Sequence, residues 1–544
     1  MRNLMAGLLV IALLAGAACT KVETTATGAG NPWTEHGHLR FASLGNPDSL
    51  NVELGNTQLD VDLSMFWAGY LFNWSDKDEF VPELATEVPT LENGGISKDE
   101  QTITYKLRRG VKWQDGAPFN ADDVIFSWHA IMNPKNNLSS RVGYDVISTI
   151  DKVDNFTVRV HLKRRWSPFV NSFFTMSGTA YPLLPAHILA KYPDINRVPY
   201  NDKPIGTGPF KIVEWKRGSY VHFEANPGYW RGPPKLKRVD YLVIPDENTI
   251  ATQLKTHEID LFYDASTGIY PQVRNIPGTR VYQTPFTQYS QIMFNVARPI
   301  LRDKLVRQAL AYGTNREAII KDLAHGVPIK GDTDQPPFSW AYNPKVRAYP
   351  FDPVKARAML EADGWKLGAD GVRRKNGRRL RLEAANVAGS ASGEALSVYL
   401  QATWHDIGVD LVLKNYSSAL FFANSAAGGI VQTGKFDIAY LSWVNGIDPD
   451  DSTEFMCDQF PPNGQNTYRY CNHELDRQEQ IALTHADRAT RKKAYDAIQA
   501  ILAEDVPLII EYYARRTDVA NTDLKNYKPA HVATMFWNTW ELDI

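Results

Sequence analysis

Cysteine is scarce, with three residues in 544. So few exclude a disulfide-dense scaffold, and their spacing offers no zinc-ribbon pattern. Net charge is nearly absent: 59 Lys and Arg oppose 61 Asp and Glu, leaving −2. A dedicated nucleic-acid binder needs a basic surface to displace counterions from phosphates, so that class is excluded. The densest basic run (Arg373, Arg374, Lys375, Arg378, Arg379, Arg381) surrounds Asn376-Gly377, a hairpin dipeptide, and reads as a solvated turn. Short-period repeats are missing, which excludes a solenoid. Walker A, HExxH, GxSxG and Ser-x-x-Lys patterns are missing too; Gly389 to Gly393 has alanine where a nucleophile elbow needs serine. His36-Gly37-His38 reads as solvated. Adjacent acids such as Asp122/Asp123 and Asp450/Asp451 are commonplace, and they leave a carboxylate-pair glycosidase open. No cofactor and no metal are expected.

What is present is ordinary globular material, 44% hydrophobic and 22% charged. The length suggests two to four domains, at about 150 residues each. Leu4 to Ala18 is apolar or small, follows Arg2 and ends Gly16-Ala17-Ala18-Cys19, the parts of a secretory signal. Cys19 stands where bacterial lipoprotein signals carry the lipidated cysteine, although Gly16 occupies a place usually held by leucine. Residues 1–18 are therefore expected as a signal peptide and 19–32 as a flexible tether, with plain secretion as the alternative to lipidation. No other stretch approaches about 18 apolar residues, so membrane contact is expected only through the anchor. An exported chain meets an oxidising compartment, so Cys457 and Cys471 are expected to pair. A disulfide closing a loop of that size is worth roughly 3 kcal/mol in the chain-entropy picture.

Strand-like and helix-like segments alternate along the chain. Thr102 to Arg108 and Phe156 to Leu162 alternate apolar with polar residues, and Asn120 caps a helix carrying Val124, Trp128 and Ile131 on one face. Later, Asp352-Pro353 opens a helix that Gly364 stops. Leu380 and Leu382 mark a strand, and a helix presents Leu396, Leu400, Trp404 and Ile407 before Gly408. Val409 to Leu413 is a strand, Leu420 to Ala427 an irregular crossover, and Phe436 to Trp443 a further strand. That βαβαβ order favours parallel strands, whose ligands sit beyond the carboxyl ends. Topology thus selects Trp443 to Asp448 as a cleft loop.

Several blocks in order resemble the family 5 extracellular solute-binding proteins of ABC importers. They are Pro82-Glu83-Leu84-Ala85, Ile103 to Trp113 with Asp115 to Val124, Gly206-Thr207-Gly208-Pro209-Phe210 with Asn226 to Trp230, and Phe294-Asn295 with Val306 to Leu310 and Asn315 to Ile319. Tyr349 to Gly364 and Phe436 to Trp443 extend the match over about 39–515. The bland reading of these blocks is fold specification: turn glycines at Gly116, Gly206 and Gly208, and core at Trp113, Phe119, Phe126 and Trp128. The resemblance implies an α/β, two-lobed, hinge-bending periplasmic-binding-protein-like fold (type II) with an extra domain inserted in the first lobe. Lobe I is then 33–75, 205–288 and 511–544, the inserted domain 76–204 and lobe II 289–510, with hinge strands near Gln288–Phe294 and Ile510–Tyr513.

It further implies a binder that takes a peptide or other small polar solute outside the inner membrane and delivers it to an ABC permease, as a monomer and not as an enzyme. An exported hydrolase and a non-transport binding lipoprotein stay open as alternatives. In peptide-binding relatives the backbone around the tryptophan at Trp443 pairs with an extended ligand, and a carboxylate three residues on clamps its ammonium. Here that place is Gly446, in a loop about one residue shorter. Either Asp448 takes over, or the ligand lacks an ammonium, or another acid supplies the clamp. The expected ligand contacts are Trp443, Val444, Asn445, Gly446 and Asp448, with Tyr289, Asn295, Trp340 and Tyr512. Arg515 and Arg516 read as solvent-facing, or as partners of a ligand carboxylate.

Overall fold

The computed structural model describes residues 30–55, 57–138, 140–176, 181–532 and 534–544. The signal segment, Cys19 and most of the tether lie outside the described residues. Among the described residues no helix is long and apolar enough to cross a membrane.

Ten strands form one mixed sheet: β1 (His38–Ser43), β2 (Phe210–Lys216), β3 (Tyr220–Ala225), β4 (Arg238–Val243), β5 (Leu261–Ala265), β6 (Thr279–Phe294), β7 (Arg381–Val387), β8 (Asp410–Tyr416), β9 (Ile438–Val444) and β10 (Leu508–Asn521). Their spatial order is β8-β7-β9-β6-β10-β5-β1-β4-β3-β2. β1 to β5 make up one side of the sheet and β7 to β9 the other. The long antiparallel strands β6 and β10 lie between them and join the two halves. Their pairing slips between Pro285 and Tyr289. Proline cannot donate to a ladder, and an interrupted ladder bends more easily. The slip overlaps the start of the crossing expected at Gln288–Phe294, and the crossing at Ile510–Tyr513 falls within β10.

The βαβαβ segment folds as its pattern dictates. β7 pairs parallel with both β8 and β9. Between β7 and β8 runs the helix Ala391–His405, whose Leu396, Leu400 and Trp404 are buried together with Ile407. Gly408, at φ +91°, ends it in a conformation that favours glycine. The irregular crossover contains two single helical turns, Ser418–Phe421 and Ile430–Thr433.

In the inserted region, the strands Thr102–Lys106, Thr157–Leu162 and Ile147–Asp154 make a small antiparallel sheet. The helix α1 (Ala121–Met132) packs on it. Asn120 accepts from the Asp122 amide while Asp123 accepts from the Asn120 amide, which satisfies two amides that a helix start leaves open. Trp113, Phe119 and Val124 are core, and Phe126 and Trp128 are half-buried. Gly116 is a true turn glycine at φ +95°. Gly206 and Gly208 serve differently: a Cβ at either would overlap the Trp67–Ala68 backbone.

Two expectations need correction. Asn376 and Gly377 do turn with positive φ, 52° and 76°, but the basic run is not uniformly solvated. Arg373 is 4% exposed, because its guanidinium donates to the Trp365 and Ile407 carbonyls and pairs with Glu361. Five fixed donors suit it to loose carbonyls past a helix end. Arg516 is likewise buried; it lies 4.0 Å over the Phe286 ring and 3.8 Å from Asp62. Cys457 and Cys471 form the expected disulfide.

Candidate functional site

The site is built around β9. Asn445 N–H donates to the Thr287 carbonyl and Asn295 N–H to the Asp437 carbonyl. Antiparallel strands alternate which residues face the partner. Leu441 and Trp443 therefore bond toward β6, and Tyr440, Ser442 and Val444 aim their backbone groups at the other edge. There β7 pairs only with Ile438 and Ala439. The edge from Tyr440 to Val444 is consequently open, and Val444 is 49% exposed.

A cavity flanks each end of this edge. The larger, about 670 Å³, is lined by Asn445, Gly446, Ile447 and Pro449, by Gln335, Pro336, Phe338, Ser339 and Trp340, and by Arg488 and Arg491. Across it stand Trp74, Lys77 to Phe80 and Asn171 from the first-lobe side. The smaller, about 340 Å³, is lined by Tyr440, Leu441 and Ser442 with Ser290, Asn386, Glu511, Tyr512 and Thr267.

The expected residues divide accordingly. Asn445, Gly446 and Trp340 meet at the larger cavity, and Tyr512 lines the smaller. Asn445 is buried; its side chain donates to the Asp334 carbonyl at 2.6 Å, and its carbonyl accepts from Thr287 Oγ1 at 2.7 Å. Trp443 is half-buried against the second-lobe core, and Val444 lies on the open edge. Asp448 requires correction. Its oxygens are held by Arg491 at 2.5 and 2.9 Å and by Asn171, so it has no free face for an ammonium. Tyr289 and Asn295 also require correction, since both are interior. Tyr289 donates to Glu454 at 3.0 Å, and Asn295 donates to the Gly434 and Phe436 carbonyls.

Sequence reasoning missed Arg488, Arg491, Asn171 and Glu511. Arg491 heads the helix Arg488–Asp505, whose Ala494, Tyr495, Ile498 and Leu502 form the buried stripe. A cation at helical spacing on that stripe was the available signal. Burial opposes its charge, yet Asp448 and Tyr495 raise its pKa above the ordinary value. Arg488 lies 4.9 Å and Arg491 5.5 Å over the Trp340 ring, cation–π contacts that brace the cavity wall.

Behind the loop sit four buried acids: Asp334, Asp451, Glu454 and Glu479. Burial pushes all four up, Glu479 to about 8, and the Glu479 and Asp334 charges add to the rise at Asp451. Neutral carboxyls avoid the cost of burying clustered anions.

The family profile of bacterial extracellular solute-binding proteins, family 5 (Middle), matches residues 79–467. The chain belongs to that family. Among its family 5 relatives is the oligopeptide-binding protein AppA of Bacillus subtilis, 29% identical over 92% of this chain and 90% of that protein. The dipeptide-binding protein of Escherichia coli is 26% identical over 90% and 91%. NikZ from Campylobacter jejuni, solved with Ni(L-His), superposes with a TM-score of 0.78 at 27% identity, covering 94% of this chain and all of the other (100%). AppA of Bacillus subtilis in complex with a nonapeptide gives 0.74 at 26%, covering 93% and 98%. These family 5 proteins are binders, and their two-lobed architecture is the one described above.

Proposed function

We propose that this chain is the substrate-binding component of an ABC importer, taking an extended peptide or similar polar solute between its lobes and passing it to a permease. The observation that carries the reading is the open edge of β9 between two cavities. An extended ligand can add there as a strand, with Ser442 and Val444 supplying backbone bonds and the cavities receiving its ends. A solute touching both lobes favours the closed state and shifts its population. The names of two relatives, oligopeptide-binding and dipeptide-binding protein, and the nonapeptide in complex with AppA support the ligand class.

The proposal keeps the boundaries of lobe I (33–75, 205–288, 511–544), inserted domain (76–204) and lobe II (289–510). It also keeps export with lipidation at Cys19, a monomeric state, and binding without catalysis. Ligand contacts are assigned to Val444, Asn445, Gly446, Trp340 and Tyr512, with Trp443 backing the edge and Asp448 acting through Arg491. Small-angle scattering tests this reading: a bound solute is expected to reduce the radius of gyration. Tight binding with unchanged scattering, or steady cleavage of the solute seen by mass spectrometry, overturns it.

A further inference from the structure

The smaller cavity holds polar groups that the protein leaves unsatisfied. Among the described residues, the Asn386 amide nitrogen and one Glu511 carboxyl oxygen have no hydrogen-bond partner. Both residues line the cavity, and each is more than nine-tenths buried. Buried polar groups are normally paired, so two orphans around one space of about 340 Å³ point to a bound partner.

The charge of that partner follows from the rest of the lining. Among the described residues, no lysine, arginine or histidine lines this cavity. Glu511 is its one carboxyl. Burial pushes Glu511 up to about 8, and the Ser290 hydroxyl offsets this only in part, so it stands protonated near pH 7. The nearby start of the helix Ala391–His405 is already engaged: Ser390 accepts from Gly393 N–H, and Glu394 accepts from Gly389 N–H. A carboxylate seated here would be buried beside an acid with no cation to pair it, which is costly. An uncharged group that both donates and accepts satisfies both orphans at once.

We propose that the smaller cavity receives an uncharged, hydrogen-bonding end of the solute, either a carboxamide or a hydroxyl-bearing ring, and discriminates against a free carboxylate. The inference rests on the reading of the cleft as a solute site.

Calorimetric titration and scattering at pH 7 with tetraalanine, tetraalanine amide and maltotetraose test it. The amide or maltotetraose is expected to bind at least tenfold more tightly than tetraalanine and to contract the protein; which of the two does so separates a peptide from a sugar source. Ser442→Arg places a cation at an exposed rim position, and is expected to narrow the preference at least threefold with an unchanged circular dichroism spectrum. Tetraalanine binding as tightly as both other probes overturns the uncharged-end inference while upholding solute binding. Binding by none of the three, with no contraction, overturns both.

Discussion

The two cavities beside β9 share a wall and differ in chemistry. The larger brings charge to its surface and fixes part of it by local contacts: Arg491 on Asp448, Asp78 on His531 at 2.9 Å, and Arg488 over Trp340. The smaller is walled by hydroxyls, one amide and a single acid. In the larger cavity, these contacts set the positions of Arg491, Asp448 and Asp78 before any ligand arrives. In the smaller, rigid strands and a helix start hold the polar groups, which are left for the solute. Preorganisation by charge and preorganisation by backbone thus divide one cleft between them.

The sharpest way to break this contrast is Arg491→Met. It strands buried Asp448 without a cation, and removing one partner of a buried pair typically costs about 3–5 kcal/mol. Urea unfolding is expected to show that loss, with most of it recovered by adding Asp448→Asn; a change under about 1 kcal/mol would remove the pair as a brace. Next in size is Trp340→Ala, expected to cost roughly 1–2 kcal/mol in solute affinity through lost stacking and cation–π contact. Unaltered calorimetric affinity would mean that the larger cavity stays empty in the complex.

Val444→Pro probes the shared wall. It deletes an N–H that faces the open edge, so affinity is expected to fall up to about tenfold, the worth of one net hydrogen bond. Prolines are tolerated on such edges, and thermal stability is expected to move little. The pH response separates the two regions again. A carboxyl whose folded pKa is raised binds its proton when the unfolded chain has lost it, so stability falls as pH rises. For Glu479 and Glu511, both pushed to about 8 from an ordinary 4.5, the decline spans that interval and then levels. Glu479→Gln is expected to flatten it in denaturation curves taken from pH 5 to 9; a stability that rises over this window contradicts the burial argument. The smallest effect is Gly446→Ala, expected within about 0.5 kcal/mol of wild type. Its new Cβ would meet only the Asp448 carbonyl, at 3.9 Å.

Elements with a strong local period were legible from residues alone. Asn120 as a cap, the stripe Leu396-Leu400-Trp404-Ile407, and the loop after Trp443 all stand where pattern and topology put them. Groups whose role is set by distant neighbours were not. Asp448 looks like a free carboxylate until Arg491 and Asn171, far away in the chain, fold onto it. Tyr289 sits on β6 and Asn295 just past its end, but their burial depends on Glu454 and on the Gly434 and Phe436 carbonyls, distant partners that no local pattern announces. Arg373 reads as solvated because a run of cations hides the one member aimed inward, and Arg491, followed by Lys492 and Lys493, goes unnoticed in a similar run.

The register slip in β6 has a mechanical consequence. Thr287 lies inside it, and its hydroxyl also holds the Asn445 carbonyl on the rim of the larger cavity, while its own carbonyl accepts from Asn445 N–H. The linking ribbon and the rim are thus fastened together at one residue, so a torsion of the ribbon is expected to carry the rim with it.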